Sequence, residues 1–150
     1  MSLLAVWLAT AGVAVASAII PVINIEIYLL GAAALAPQAM AVPLVLAATI
    51  GQMIGKVVMY FAGTGAVKLP GKRLQAALDG MHVTLRDRPR SGGALVFASA
   101  ASGFPPFFIV TVAAGAARMN LAAFVVLGFL GRLVRFAVIV AVPHLARDLF

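Results

Sequence analysis

No cysteine occurs in this chain, so disulfides, thiolate metal sites and cysteine nucleophiles are excluded. Acid is nearly as scarce. The carboxylates are Glu26, Asp79, Asp87 and Asp148, and only Glu26 lies within the long apolar stretches. Charged residues make up 10% of the 150 positions, against about 25% in ordinary soluble domains. A water-facing surface cannot be built from so few. The two histidines, His82 and His144, stand far apart without companions, and there is no acid pair, His-Glu cluster, Ser-His-Asp set or glycine-rich phosphate loop. The chain is therefore expected to be no enzyme and to need no cofactor or metal.

What is plentiful is apolar. Hydrophobic residues reach 64% and the mean hydropathy is +1.13, which implies an all-α integral membrane protein. The length suits one small bundle with no separate soluble domain. The formal charge of +7 is concentrated beside apolar spans. Loop topology and anionic headgroups account for it better than a nucleic-acid partner does. No Lys or Arg precedes Lys56, so the apolar N-terminal segment lacks the basic region of a secretory signal. It is expected to stay in the protein despite the cleavage-like Ala14-Val15-Ala16.

Two stretches follow one design. Pro21 stands ten residues before Gly31, and Gly55-Lys56-Val57-Val58-Met59-Tyr60 follows; Pro105 stands ten residues before Gly115, and Gly131-Arg132-Leu133-Val134-Arg135-Phe136 follows. Internal repeats with broken apolar segments point to a membrane translocator with a midplane site. Val22 to Ala36 holds 15 residues, about 22 Å of helix, and a bilayer core is about 30 Å. Ala94 to Gly103 and Phe107 to Ala117 are also short, and Phe104-Pro105-Pro106 divides them. Prolines remove backbone donors and disfavour helix before them, so Pro21, Pro105 and Pro106 are read as hairpin breaks. Ser17, Ser99, Ser102 and Asn24 lie near enough in sequence to satisfy the carbonyls freed there.

The expected fold is an inverted repeat of a re-entrant helical hairpin plus a transmembrane helix. The first repeat is 1–66 (hairpin 3–36, span 39–66), a cytoplasmic amphipathic linker is 67–93, and the second repeat is 94–150 (hairpin 94–117, span 121–142), closed by Pro143. In the linker, Leu74, Leu78, Met81 and Leu85 recur at helical spacing among Lys68, Lys72, Arg73, Arg86, Arg88 and Arg90. A helix on the membrane surface fits that pattern. The basic loop places the linker inside by the positive-inside rule; both chain ends then lie outside, in a multi-pass protein of the bacterial inner membrane. Gly51, Gly55, Gly63 and Gly115 are read as helix-packing positions that let backbones approach closely. So few spans enclose little space in a monomer, and the glycine stripe offers a surface for a homodimer.

An isolated carboxylate in lipid costs about 2.5–3.5 kcal/mol on insertion scales. Glu26 is therefore expected to face Lys56 and Arg132 across a polar chamber, with a static ion pair as the structural alternative. Arg132 and Arg135 share a broad helix face, so that one can snorkel to a headgroup while the other serves the chamber. Asn24 and Gln52 supply neutral hydrogen bonds, and Thr49 and Thr111 read as glue between helices.

The residues that carry a family resemblance run from Ser17 through Pro21 and Asn24 to Glu26, with Gly31, then Gly51-Gln52-Met53-Ile54-Gly55, Tyr60 and Gly63. Phe104-Pro105-Pro106, Ala114-Gly115, Arg118-Met119 and Gly131-Arg132 through Phe136 complete them. Over roughly residues 15–140 the sequence resembles the DedA/VTT superfamily, especially its short YqaA-like members. The resemblance implies two re-entrant hairpins facing one another, movement of lipids between leaflets with ion coupling in some members, and Glu26 as the hairpin acid. The chain departs from longer members in carrying Gly103 and apolar residues where they place arginines beside the second-hairpin proline. The expected function is transport of an anionic lipid or small amphiphile, proton-linked through Glu26, with membrane lipids as partners. A small-solute or drug exporter and a non-transporting assembly subunit are the rivals.

Overall fold

A computed structural model describes residues 2–20, 22–64 and 72–150, with the backbone alone at 72–75, 77, 78 and 83. Pro21 and Lys68 lie outside the described residues, as do the side chains of Lys72, Arg73, Leu74 and Leu78. All regular structure among the described residues is helical: α1 (Leu3–Ile19), α2 (Ile25–Leu35), a 3-10 turn (Gln38–Met40), α3 (Ala41–Thr64), α4 (Lys72–Asp87), α5 (Pro89–Ser102), α6 (Phe107–Ala116) and α7 (Leu121–Leu149).

Local chemistry sets the helix ends. Ser2 Oγ accepts from Ala5 N at 3.2 Å to cap α1, and Asn24 Oδ1 accepts from Glu26 N at 2.9 Å and Ile27 N at 3.3 Å to cap α2. α5 ends on Gly103, whose φ of 79° is open to glycine at no steric cost. After α6, Met119 N bonds Ala114 O at 3.0 Å and Arg118 N bonds Gly115 O at 3.0 Å. This is a Schellman closure, with Arg118 at φ 53° in the left-handed position that glycine usually takes. The Phe104–Pro105 peptide is cis.

Two helices are long and apolar enough to cross a membrane: Gln38–Thr64 and Leu121–Leu149, with mean hydropathies of 1.7 and 2.2. Each leaves an apolar stripe uncovered at four-residue spacing, Val42, Leu46, Ile50, Ile54 and Val58 on α3, and Val126, Leu130, Val134, Val138 and Val142 on α7. At 1.5 Å per residue, the 17 residues of α1 and the 11 of α2 are both short of a 30 Å core. The 14 residues of α5 and 10 of α6 are shorter than that core too.

The chain divides into two compact units, Met1–Gly55 with Arg132–Phe150, and Lys56–Gly131. Both long helices are thus shared, α3 being cut between Gly55 and Lys56 and α7 between Gly131 and Arg132. The first unit holds α1, α2, the N-terminal half of α3 and the C-terminal half of α7. Its core joins Ala14, Leu29, Ala33, Leu44, Phe136 and Val140. A side chain at Gly51 would strike the Ala11 carbonyl oxygen and Ala14 Cβ, and one at Gly55 would strike Ala18 Cβ and the Val15 carbonyl oxygen. α1 and α3 therefore touch backbone to backbone.

The second unit holds α4, α5, α6, the C-terminal half of α3 and the N-terminal half of α7. Phe107 stacks on Phe124 at 6.0 Å between ring centroids, and Tyr60 lies 5.3 Å from Phe124. A side chain at Gly63 would strike the Val112 carbonyl oxygen, and one at Gly115 the backbone of Tyr60.

The linker helix at 72–87 packs against α5 and α6 and buries Leu85. Three expectations need correction. The next helix starts at Pro89, not at 94. Proline is preorganised for a first helical position and disfavours helix at Arg88 before it, and Gly92 brings α5 against the backbone of Thr84 and Leu85. α7 does not stop before Pro143 but runs on to Leu149. One missing donor is outweighed by the turns that follow, which keep His144 buried. The glycine stripe is covered within the chain, by α1 at Gly51 and Gly55 and by α6 at Gly63, so it is no free surface for a second copy.

Candidate functional site

The first unit gathers most of the polar side chains that the sequence singled out. Asn24 fixes the start of α2, and Glu26 follows in the first turn, where the helix dipole favours a carboxylate. Arg135, from α7, donates through Nε to Glu26 Oε1 in an ion pair. The two side chains keep 23% and 31% of their surface exposed, so the pair is within reach of a competing ion. Arg132 lies one turn earlier on α7, is 9% exposed, and sets its guanidinium 5.7 Å from the Phe136 ring centroid. Arg135 is thus the ion-pair partner of Glu26, and Arg132, three positions earlier on a 3.6-residue repeat, shares the broad face and lies within electrostatic reach of the same carboxylate.

Asn24 is a cap, which explains its place without any ligand. Gln52 is 3% exposed and reaches across from α3 to α1, where Nε2 donates to Ser17 Oγ at 2.5 Å and to Ala14 O at 3.3 Å. Its Oε1 is buried with no hydrogen-bond partner among the described residues. The Thr10 and Tyr28 hydroxyls pair at 3.1 Å between α1 and α2. This last link was not anticipated, because neither residue belongs to a motif and 18 positions separate them.

Lys56 belongs to the second unit. It is 4% exposed, and its Nζ stands 5.8 Å from the Phe107 ring centroid and 5.5 Å from that of Phe108. In the same unit, Ser99 Oγ donates to Pro105 O at 2.5 Å, and Ser102 Oγ donates to Ala98 O at 2.6 Å and to Phe104 O at 3.0 Å. Serines near the Pro105-Pro106 break thus satisfy its carbonyls. Tyr60 donates its hydroxyl to Met119 O, tying α3 to the turn before α7. Thr49 and Thr111 do not join helices. Each donates to the carbonyl four residues back on its own helix, Val45 O and Phe107 O, both at 2.7 Å.

The two repeat-related cations share a setting. Lys56 and Arg132 each follow a buried glycine, each is nearly enclosed, and each is held near aromatic rings. The repeat-related glycines do not match: Gly115 is pressed under the Tyr60 carbonyl, while a side chain at Gly31 would meet nothing within 4 Å. The chain matches no protein-family model, no curated protein and no solved structure.

Proposed function

We propose that this chain is a multi-pass protein of the bacterial inner membrane that moves an anionic lipid or small amphiphile between leaflets, coupled to protons through Glu26. Membrane residence is supported by the uncovered apolar stripes of α3 and α7. Only 28% of the apolar window of α7 is buried, which is unlike the core helix of a soluble protein, and water would penalise such a face. The inverted repeat is supported by the make-up of the units: each has one half of each long helix and a pair of short apolar helices, α1 and α2 in the first and α5 and α6 in the second, which also holds α4. We read α1–α2 and α5–α6 as re-entrant hairpins and the basic segment around α4 as cytoplasmic. The DedA/VTT resemblance agrees with this reading.

The observation that carries the function is the partly exposed Glu26–Arg135 ion pair, which holds the one carboxylate of the apolar stretches. When Glu26 takes a proton, its charge is lost and Arg135 is released to a phosphate or carboxylate head, which a guanidinium can hold through two parallel hydrogen bonds. When the proton leaves, Glu26 reclaims Arg135 and the head is expelled. A dye-labelled anionic lipid in proteoliposomes tests this at two pH values. The native protein should move the lipid at a rate that depends on pH; Glu26→Gln should lose both movement and pH dependence while remaining folded. Unchanged movement by Glu26→Gln would remove Glu26 from the mechanism.

A second reading, an assembly subunit, is favoured by the fact that Asn24 and the Glu26–Arg135 pair both fasten α2 in place. Absence of lipid movement by the native protein, together with co-purification of a larger partner, would select it.

A further inference from the structure

A second feature of the first unit lies apart from the Glu26–Arg135 pair. A groove of about 430 Å³ runs between the N-terminal part of α3 and the C-terminal part of α7, within the usual range of about 300–1,000 Å³ for small-molecule sites. It exists because α7 presents alanine at Ala137 and Ala141, one turn apart, where larger side chains would close the gap. Val42, Val45, Leu46 and Val140 supply most of the remaining wall, and the groove is almost wholly apolar along its length. Polar groups collect at one end only: Gln38 before α3, and His144 and Asp148 on the last turns of α7. From Leu133 to Asp148, α7 rises about 22 Å, a suitable length for one extended acyl chain.

His144 makes this more than an apolar slot. It is 8% exposed, and its Nε2 is buried without a hydrogen-bond partner among the described residues. A buried imidazole nitrogen left unpaired is costly, and a turn of the ring toward the groove would let a ligand hydroxyl supply the missing hydrogen bond and remove that cost. Asp148 is the one charged residue lining the groove, and it opposes an anionic head. Arg147 does not line it; Nη1 reaches toward Ala36 O at 3.5 Å. A carboxylate, an amide and an imidazole together suit hydroxyl groups, which donate to the first and exchange hydrogen bonds with the other two.

We infer that this groove binds a single-chain amphiphile with an uncharged, hydroxyl-bearing head, its chain along Ala137 and Ala141 and its head at Gln38, His144 and Asp148. The site is independent of transport at Glu26 and stands whether or not that reading holds.

Native mass spectrometry of the intact protein released from detergent, titrated with 1-monoolein and separately with oleate, tests the inference. One monoolein should bind saturably, and more tightly than oleate. Ala137→Phe fills the groove and should weaken monoolein at least about tenfold; Ala141→Phe, which fills it one turn later, should do the same if the first variant is poorly folded. His144→Leu should weaken monoolein about tenfold, roughly one hydrogen bond, and should remove its advantage over oleate, whereas His144→Gln should restore part of it. Circular dichroism checks that each variant keeps its helices. The absence of saturable monoolein binding, or equal binding by the native protein and a folded groove-filling variant, would overturn the site. Tighter binding of oleate would overturn the uncharged head.

Discussion

Gly31 and Gly115 occupy the same place in the repeat, ten residues after a proline, yet opposite chemistry governs them. Gly31 has open space where a Cβ would stand, and Gly115 has the Tyr60 backbone there. Gly31→Ala should raise stability by about 0.5–1 kcal/mol, because alanine loses less backbone freedom in a helix interior. Gly115→Ala should lower it by about 1–3 kcal/mol, because backbone cannot yield as a side-chain tip can. Thermal midpoints of the two variants in one detergent would show opposite shifts. Motifs therefore revealed which glycines to consider but not what each one meets, since contact with a partner helix is absent from a local pattern. The same limit explains Arg135. That a carboxylate needed a cation was legible from composition, but which cation depended on the rotation of α7. His144 is hidden for a different reason: in the sequence Pro143 reads as the end of the helix, which puts the histidine in a tail.

At the level of the element, helix lengths and breaks were largely readable. Apolar runs and the prolines at 105 and 106 place α6 and the start of α7 within one residue of where they stand, while the apolar run from Val22 begins three residues before α2, which Asn24 caps. Two boundaries escaped because proline has two meanings. Pro89 begins a helix and Pro143 sits inside one, and the choice rests on tertiary packing that outweighs local preference. The uncovered stripe of α7 allows a direct test. Val134 is half exposed, in the middle of that stripe. Val134→Lys should cost about 2.5–3.5 kcal/mol of insertion free energy if the stripe faces lipid, and membrane insertion measured by the fraction of inserted chain should fall accordingly. Insertion equal to that of the native helix would mean that the stripe faces something wetter.

For the whole molecule, the division of both long helices carries the most weight. The all-helical character and the two long apolar helices were evident from composition and run length. The exchange of helix halves was not, because it pairs residues more than a hundred positions apart, such as Glu26 with Arg135. A chain ending at Gly131 should keep the second unit, which is continuous from Lys56 to Gly131. It should lose the first, whose core includes Phe136 and Val140. Limited proteolysis should then digest α1 and α2 while sparing α5 and α6, and supplying residues 132–150 as a separate peptide should restore protection. Equal protection of both regions in the truncated chain would contradict the division.

The same arrangement sets a timetable for synthesis. Chains are made from the N-terminus, and regions fold as their parts become available. The second unit has all its residues once Gly131 has been made, but the first, although it holds the earliest helices, cannot close until the final helix half emerges. During that interval α1 and α2 wait with Glu26 lacking Arg135. Of the two units, the one begun first is therefore the last to be finished, and it is the one for which a membrane insertase or chaperone would matter most.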